Sequence, residues 1–113
     1  MSKIDDRTRL LHMLDSAKLA LDLVRDEVRT SLDEDIKLVL AIARLLEIIG
    51  EAANHVSLET QGQLSKIPWP QLVGMRNRLI HAYFDIDLDV VWKTIQEDLP
   101  QLIRILEDYV HGQ

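Results

Sequence analysis

Apolar residues recur at alternating spacings of four and three along the first part of the chain. This repeat is typical of a helix with one buried stripe, and its members are Leu10, Leu14, Ala17, Leu21, Val24 and Val28. The pattern predicts a first helix from about Ile4 to Val28.

A second helix is predicted from about Ser31 to Val56. The segment Ser31-Leu32-Asp33-Glu34 has the form of a capping box, which opens a helix by satisfying its first amide groups. The linker is short, so the first two helices are expected to be antiparallel neighbours. Apolar residues cover well over half of the second helix, at Leu38, Val39, Ile42, Leu45, Leu46, Ile48, Ile49, Ala52, Ala53 and Val56. We therefore expect other elements to cover it on several sides, with a second subunit providing part of that cover.

Residues 57–66 are polar and lack a clear period, which predicts a surface loop with at most one loose turn.

Pro68-Trp69-Pro70 follows this loop. Proline suits a first helical position because it has no amide hydrogen to leave unsatisfied. A third helix is therefore predicted from near Pro70 to about Tyr83, with Trp69 anchoring its start in the core.

Asp85-Ile86-Asp87 is predicted to cap the last helix. The four-three spacing then continues past Pro100, through Leu88, Trp92, Ile95, Leu99, Leu102, Leu106 and Tyr109. This predicts one long helix kinked at Pro100. The fold class is therefore all-α, an up-and-down four-helix bundle formed by a single domain over residues 1–113.

The segment from Met75 to Tyr83 is the candidate active centre, because it concentrates Arg76, Asn77, Arg78, His81 and Tyr83. On a helix, Asn77 and His81 would share one face, and Arg76 and Tyr83 would lie on the face beside it. The Arg76 guanidinium would emerge from an apolar stripe and would need a partner. The polar strip of the second helix offers two carboxylates for this role, Glu51 and Glu47.

This segment resembles the signature of the HepT family of prokaryotic HEPN toxins. The shared pattern is Arg, Asn, three residues, His, one residue and Tyr, here followed by Phe84-Asp85-Ile86-Asp87. Residues 46–54 look like the family's second landmark, and the resemblance covers nearly the whole chain. HepT proteins are small helical ribonucleases paired with a minimal nucleotidyltransferase antitoxin similar to MntA, in a type VII toxin–antitoxin pair. The resemblance implies a HEPN-like fold and a homodimer in which two copies of the motif face each other.

His81 is the candidate general base and acid for phosphodiester cleavage, because imidazole exchanges protons near neutral pH. Arg76 would stabilise the charge on phosphorus, and Asn77 would orient His81 or hold a phosphate oxygen. Arg78, Glu47 and Glu51 are supporting candidates. From the residues alone an alternative stays open, in which Arg76 pairs with Glu51 and His81 is a buried histidine without a catalytic role.

We expect neither a metal nor another cofactor. Glu47, Glu51 and His55 stand at four-residue spacing, whereas a di-iron helix needs Glu and His three apart. The chemistry that fits is attack by the RNA 2′-hydroxyl, which leaves a 2′,3′-cyclic phosphate and excludes DNA.

The resemblance further implies that the partner nucleotidyltransferase adenylylates Tyr83 and so blocks the site. An alternative function stays open, that of a non-catalytic nucleotide-binding subunit of a nucleotidyltransferase pair.

Composition narrows these interpretations. The chain has no cysteine, which excludes disulfides, thiolate catalysis and iron–sulfur clusters. Its net charge of −6 argues against bulk attraction to nucleic acid, so any RNA contact must be local, around Arg76 and Arg78. The longest apolar run, residues 38–43, is far too short to span a membrane. A cytoplasmic protein is expected.

Overall fold

The computed structural model describes residues 5–81 and 85–112. These residues form eight α-helices and one short π-helical segment, which confirms the all-α class. The helices are α1 (Asp6–Leu23), α2 (Ser31–Glu34), α3 (Ile36–His55), α4 (Leu58–Gln63), α5 (Trp69–Val73), α6 (Met75–Leu79), α7 (Leu88–Lys93) and α8 (Leu99–His111), with the π-helical segment Thr94–Asp98 between α7 and α8.

Helix α1 follows the predicted apolar stripe but ends earlier than predicted. Asp5 caps it, accepting a hydrogen bond from the Thr8 amide at 2.8 Å. After Leu23 the backbone turns, and the Val24 amide donates to the Leu21 carbonyl. Val28 therefore lies beyond the helix and is exposed, so the predicted extension to Val28 is wrong. The buried stripe of α1 packs against α3 and α8.

The predicted second helix is broken at Asp35. Asp35 has an extended backbone and caps α3, because its carboxylate accepts a hydrogen bond from the Leu38 amide at 3.1 Å. Ser31 lies inside the short helix α2, and its hydroxyl accepts from the Val28 amide instead. The predicted capping box is therefore wrong, because Asp35 provides the cap of the long helix.

Helix α3 is the centre of the fold. It contacts α1, α5, α6 and α7, as its wide apolar surface predicts. Gly50 sets the closest approach, because a Cβ atom there would lie 2.5 Å from the Leu72 carbonyl oxygen. Its side chains buried in the core are those of Val39, Ile42, Ala43, Leu46, Ile49, Ala52 and Ala53.

The predicted loop at 57–66 contains helix α4. Ser57 caps this helix and accepts a hydrogen bond from the Thr60 amide. Asp6 of α1 accepts hydrogen bonds from the hydroxyls of Ser57 and Thr60, at 2.5 and 2.6 Å. These bonds join α4 to the start of α1. The prediction for Trp69 is confirmed, since its side chain is buried and its Nε1–H donates to the Leu64 carbonyl.

Helices α7 and α8 and the π-helical segment between them form one continuous helical run, Leu88 to His111. Asp87 caps it, as predicted, accepting from the Val90 amide at 3.1 Å. The helix passes through Pro100, immediately after a π-helical bond from the Leu99 amide to the Thr94 carbonyl. Within the described ranges, no helix has the length and apolar character needed to cross a membrane.

Candidate active site

The helix that carries the candidate active centre ends at Leu79. Ile80 has an extended backbone, with φ −115° and ψ 118°, and it pairs with Ile86 in an isolated antiparallel bridge. The His81 amide donates to the Asp85 carbonyl at 2.9 Å, and the Asp87 amide donates to the Leu79 carbonyl at 2.6 Å. The predicted continuation of this helix to Tyr83 is therefore wrong, because backbone bonds across this bridge replace the helical ones.

His81 lies just beyond the helix and faces solvent. Its side chain is 58% exposed, so the alternative of a buried histidine is wrong. Since His81 is not helical, it does not share a helix face with Asn77. Its Nε2 atom lies 2.8 Å from Oδ2 of Asp87. Hydrogen bonds from the Val90 amide and from the His81 ring hold the pKa of the Asp87 carboxyl below its usual value.

Arg76 lines a cleft of about 230 Å³ between α3 and the α5–α6 pair. Arg76 is exposed, and within residues 5–81 and 85–112 its guanidinium makes no ion pair. The other residues that line the cleft are Glu47, Gly50, Glu51, Asn54 and Val73.

The expected ion pair between Arg76 and Glu51 or Glu47 is replaced by one within α3. Arg44 lies 3.2 Å from Glu51 and 3.9 Å from Glu47. Because residues three, four and seven apart share a helix face, Arg44 reaches both carboxylates without leaving its own helix. Arg76 is left facing the two acidic side chains across the cleft.

The remaining candidates are distributed along the same segment. Asn77 is exposed and Arg78 is half-buried. Among the described residues, no hydrogen bond connects Arg76, Asn77 or Arg78 to the His81 side chain. The structure thus brings Arg76 together with Glu47 and Glu51, and His81 together with Asp87. Tyr83, the predicted modification site, lies outside the described residues.

Sequence reasoning assigned Asp87 only the role of a helix cap. An acidic residue six positions after the candidate catalytic histidine was the available signal. This spacing did not predict a contact, because His81 was expected to lie inside a helix that continued to Tyr83. No group of three or more His, Asp and Glu side chains in the described ranges is arranged to hold a metal ion.

These features define an all-α protein that exposes a cation and a carboxylate-bound imidazole within six residues of each other. The sequence matches the family described as "Ribonuclease HepT-like" over residues 13–109. That match spans most of the chain, which therefore belongs to the HepT-like ribonuclease family. The HepT resemblance is confirmed, and with it the predicted enzyme class, a ribonuclease.

Relatives of similar length carry consistent names. "Putative RNase MJ1380" of Methanocaldococcus jannaschii is 35% identical over 107 residues, which are 95% of this chain and 98% of the relative. "Probable ribonuclease HepT" of Thermococcus cleftensis is 40% identical over 87 residues, which are 74% of this chain and 79% of the relative. No solved structure matches the chain.

Proposed function

We propose that this chain is the toxin of a toxin–antitoxin pair, an endoribonuclease that cuts RNA without a metal ion. The observation that carries the proposal is the exposure of Arg76 and His81 on one short segment of a HepT-like chain, with His81 already bonded to a carboxylate. The names of the two relatives agree with cleavage of RNA.

The proposed reaction is an internal transfer at phosphorus. His81 takes the proton of the RNA 2′-hydroxyl, whose oxygen then attacks the adjacent phosphorus. The bond from phosphorus to the 5′-oxygen breaks, and a protonated histidine gives that oxygen a proton. The products are a 2′,3′-cyclic phosphate and a 5′-hydroxyl, so the proton balance requires no metal.

Arg76 would stabilise the extra negative charge that develops on the phosphate oxygens. A well-placed donor of this kind is typically worth about 10²–10³ in rate. Asn77 would hold a phosphate oxygen or orient the substrate near His81. Arg78 would add positive charge for the RNA backbone. Glu47 and Glu51 would hold Arg44 and keep the Arg76 guanidinium directed into the cleft.

The active form is proposed to be a homodimer. One histidine must otherwise both accept the 2′-proton and protonate the leaving oxygen, whereas a two-fold dimer brings two histidines and two arginines to one site. Exposed apolar side chains support this arrangement. Ile36 and Leu40 are exposed on α3, and Val73 is exposed at the Arg76 cleft.

We also propose that the chain forms a four-helix HEPN-like bundle, a single domain over residues 1–113. Helices α1, α3 and α8 and the α5–α6 pair would correspond to its four members. The bend at Pro100 belongs to the same proposal. It is supported by the π-helical turn before this proline and by the missing amide hydrogen of proline.

The partner is proposed to be a nucleotidyltransferase antitoxin that modifies Tyr83. The tyrosine oxygen would attack the α-phosphorus of ATP, pyrophosphate would leave, and the hydroxyl proton would pass to solvent. The attached nucleotide would place phosphate near Arg76 and His81 and exclude RNA. This proposal rests on the HepT family membership and on the spacing of Arg76, His81 and Tyr83 in the sequence.

Cleavage by the purified chain tests the ribonuclease proposal. The wild-type protein should cut RNA in excess EDTA and leave cyclic-phosphate ends. His81→Ala should lower the cutting rate about 10²–10⁴-fold and leave only a residual rate. His12→Ala is the matched control, because His12 is an exposed histidine on α1. Expression without a partner should arrest growth, and His81→Ala should relieve the arrest. Complete inhibition by EDTA, reversed by a divalent ion, would overturn the metal-independent mechanism.

Tyr83→Phe tests the proposed regulation, because it keeps the aromatic ring and removes only the hydroxyl that accepts the nucleotide. The altered chain should still cut RNA but should escape its partner. Tyr109→Phe is the control, since the Tyr109 hydroxyl contacts Gln63 on the α4 side of the fold. If the partner silences the Tyr83→Phe chain fully, covalent control through this tyrosine is wrong.

A second candidate function is a non-catalytic subunit that binds a nucleotide for the transferase. The acidity of the Arg76 cleft favours it, because Glu47 and Glu51 and the net charge of −6 oppose RNA binding. Under this function, Arg76→Ala would weaken ATP binding, and neither wild type nor variant would cut RNA.

A further inference from the structure

The antiparallel bridge between Ile80 and Ile86 brings two backbone segments to a fixed separation. One segment ends helix α6 and carries His81, and the other begins helix α7 and carries Asp87. Two backbone hydrogen bonds hold them together, from His81 to Asp85 and from Asp87 to Leu79. Their side chains meet at 2.8 Å, from Nε2 of His81 to Oδ2 of Asp87.

The carboxylate of Asp87 uses its two oxygens for different partners. Oδ1 accepts a hydrogen bond from the Val90 amide at 3.1 Å, and Oδ2 faces the His81 ring. The start of α7 therefore fixes the orientation of the carboxylate, which in turn can fix the imidazole. The lowered pKa of Asp87 agrees with a charged carboxylate at neutral pH.

We propose that Asp87 is a positioning residue for the proposed RNA cleavage by His81. Its carboxylate accepts the Nε2–H of the ring, so that Nδ1 is the nitrogen left free to exchange a proton with RNA. In an exposed site an unsupported imidazole would rotate and would interconvert between its two neutral tautomers. A carboxylate that is hydrogen-bonded to one ring nitrogen prevents the rotation and fixes the tautomer. It also stabilises the imidazolium that forms during proton transfer. This assignment rests on the proposed function of His81.

Asp87→Ser is the principal variant. Serine is a good helix cap, so it can still accept from the Val90 amide, but it is too short to bond the His81 ring. Asp35→Ser is the matched control, because Asp35 caps α3 as Asp87 caps α7. Its carboxylate accepts a 3.1 Å hydrogen bond from the amide of Leu38, three residues later. We expect Asp87→Ser to lower kcat at least tenfold with little change in KM for RNA. The upper bound is the ~10²–10⁴-fold that general acid–base catalysis contributes. Asp35→Ser should retain the wild-type kcat.

A double-mutant cycle separates positioning from a merely structural role. If Asp87 acts through His81, adding Asp87→Ser to His81→Ala should cause no further loss of residual cleavage. If the two substitutions lower the cleavage rate by independent factors, so that the double variant is slower than His81→Ala, the assignment is wrong. If Asp87→Ser unfolds, Asp87→Asn carries the same test, because asparagine is an equally good cap and its amide can donate to Nε2 and favour the wrong tautomer.

Nitrogen NMR of the His81 side chain provides a readout that does not depend on RNA. The wild-type chain should show a proton on Nε2 that is protected from exchange, and Asp87→Ser should lose that protection while Asp35→Ser keeps it. A wild-type chain with the protected proton that cuts no RNA would overturn the ribonuclease proposal. An Asp87→Ser chain that cuts RNA as fast as the wild type would overturn only the assignment of Asp87.

Discussion

At the residue scale, two arginines share the roles that the sequence suggested for Arg76 alone, the ion pair with Glu51 or Glu47 and the contact with phosphate. Arg44 neutralises Glu51 and Glu47 from the same helix, whereas Arg76 is exposed at the cleft. A guanidinium that forms no ion pair with the described part of the chain is available for a phosphate. The structural cost of removing it should therefore be small.

Arg76→Ala should leave the free energy of unfolding within about 0.5 kcal/mol of wild type, as is usual for exposed positions. RNA cleavage should fall by about 10²-fold or more. Urea denaturation measures the first quantity and RNA cleavage the second, with Arg104→Ala on α8 as a control that changes neither. A loss of about 3 kcal/mol would contradict this, because it is the cost of breaking a buried ion pair.

The candidate residues themselves were predictable from the sequence, but their contacts were not. Arg76, Asn77 and His81 stood out because polar groups of these kinds are concentrated nowhere else in a chain of mostly apolar and charged helices. The partner of His81 could not be deduced, since Asp87 reaches it only after the helix has ended at Leu79. Such a contact depends on bonds between backbone segments that local periodicity does not encode.

At the element scale, the long helices were predictable because an apolar stripe at four-three spacing must be buried. The ends of the helices were not, because capping residues compete. Ser31 and Asp35 are both good caps, and the structure uses Asp35 for the long helix. Helix α4 was missed because its few residues are polar. Ser57 followed by Glu59 in the first turn was the signal that could have found it.

The contact between α1 and α4 predicts a pH dependence of stability. Hydrogen bonds from the side chains of Ser57 and Thr60, and from the Ser57 amide, lower the pKa of Asp6 in the folded chain. Its contribution to stability is therefore complete above the unfolded pKa near ~4 and is lost as the pH falls through the lower folded pKa.

Asp6→Asn should consequently unfold at lower urea than wild type at pH 7, and the difference should shrink as the pH is lowered below about 4. Urea denaturation across this range measures the effect. Asp15→Asn, an exposed change on the same helix, should follow the wild type at each pH. A difference between Asp6→Asn and wild type that stays constant on acidification would show that the Asp6 charge is irrelevant.

The close packing of α3 on α5 predicts that alanine substitutions at two helical glycines change the stability of the chain in opposite directions. Gly50→Ala would place a Cβ atom 2.5 Å from the Leu72 carbonyl oxygen, so α5 must shift at a cost of about 1–3 kcal/mol. The shift would carry Arg76 with it and slow RNA cleavage. In Gly62→Ala the added Cβ atom meets no atom of the described residues within 4 Å, so the change should stabilise the chain by about 0.4–1 kcal/mol. Thermal unfolding of both variants tests the pair, and equal effects would refute the packing argument.

At the scale of the whole molecule, one exposed face of α3 connects the apolar surface to the candidate site. Ile36, Leu40, Arg44, Glu47 and Glu51 follow each other at spacings of three and four, so they share that face. Leu40 is 54% exposed at its apolar end, and Glu47 and Glu51 line the Arg76 cleft at the other end. Two copies that paired through this face would bring their clefts close together.

Leu40→Glu should therefore dissociate the dimer and slow RNA cleavage, because a carboxylate there would be desolvated in the proposed interface. Light scattering at micromolar concentration should give the wild type twice the monomer mass of 13.0 kDa and should give the variant the monomer mass. Leu58→Glu is the control, since Leu58 is 84% exposed on α4, away from this face, and the change should alter neither mass nor rate. A wild-type chain that is monomeric and fully active would rule out a mechanism that needs two histidines. A Leu40→Glu chain that stays dimeric would place the interface on another face of the protein.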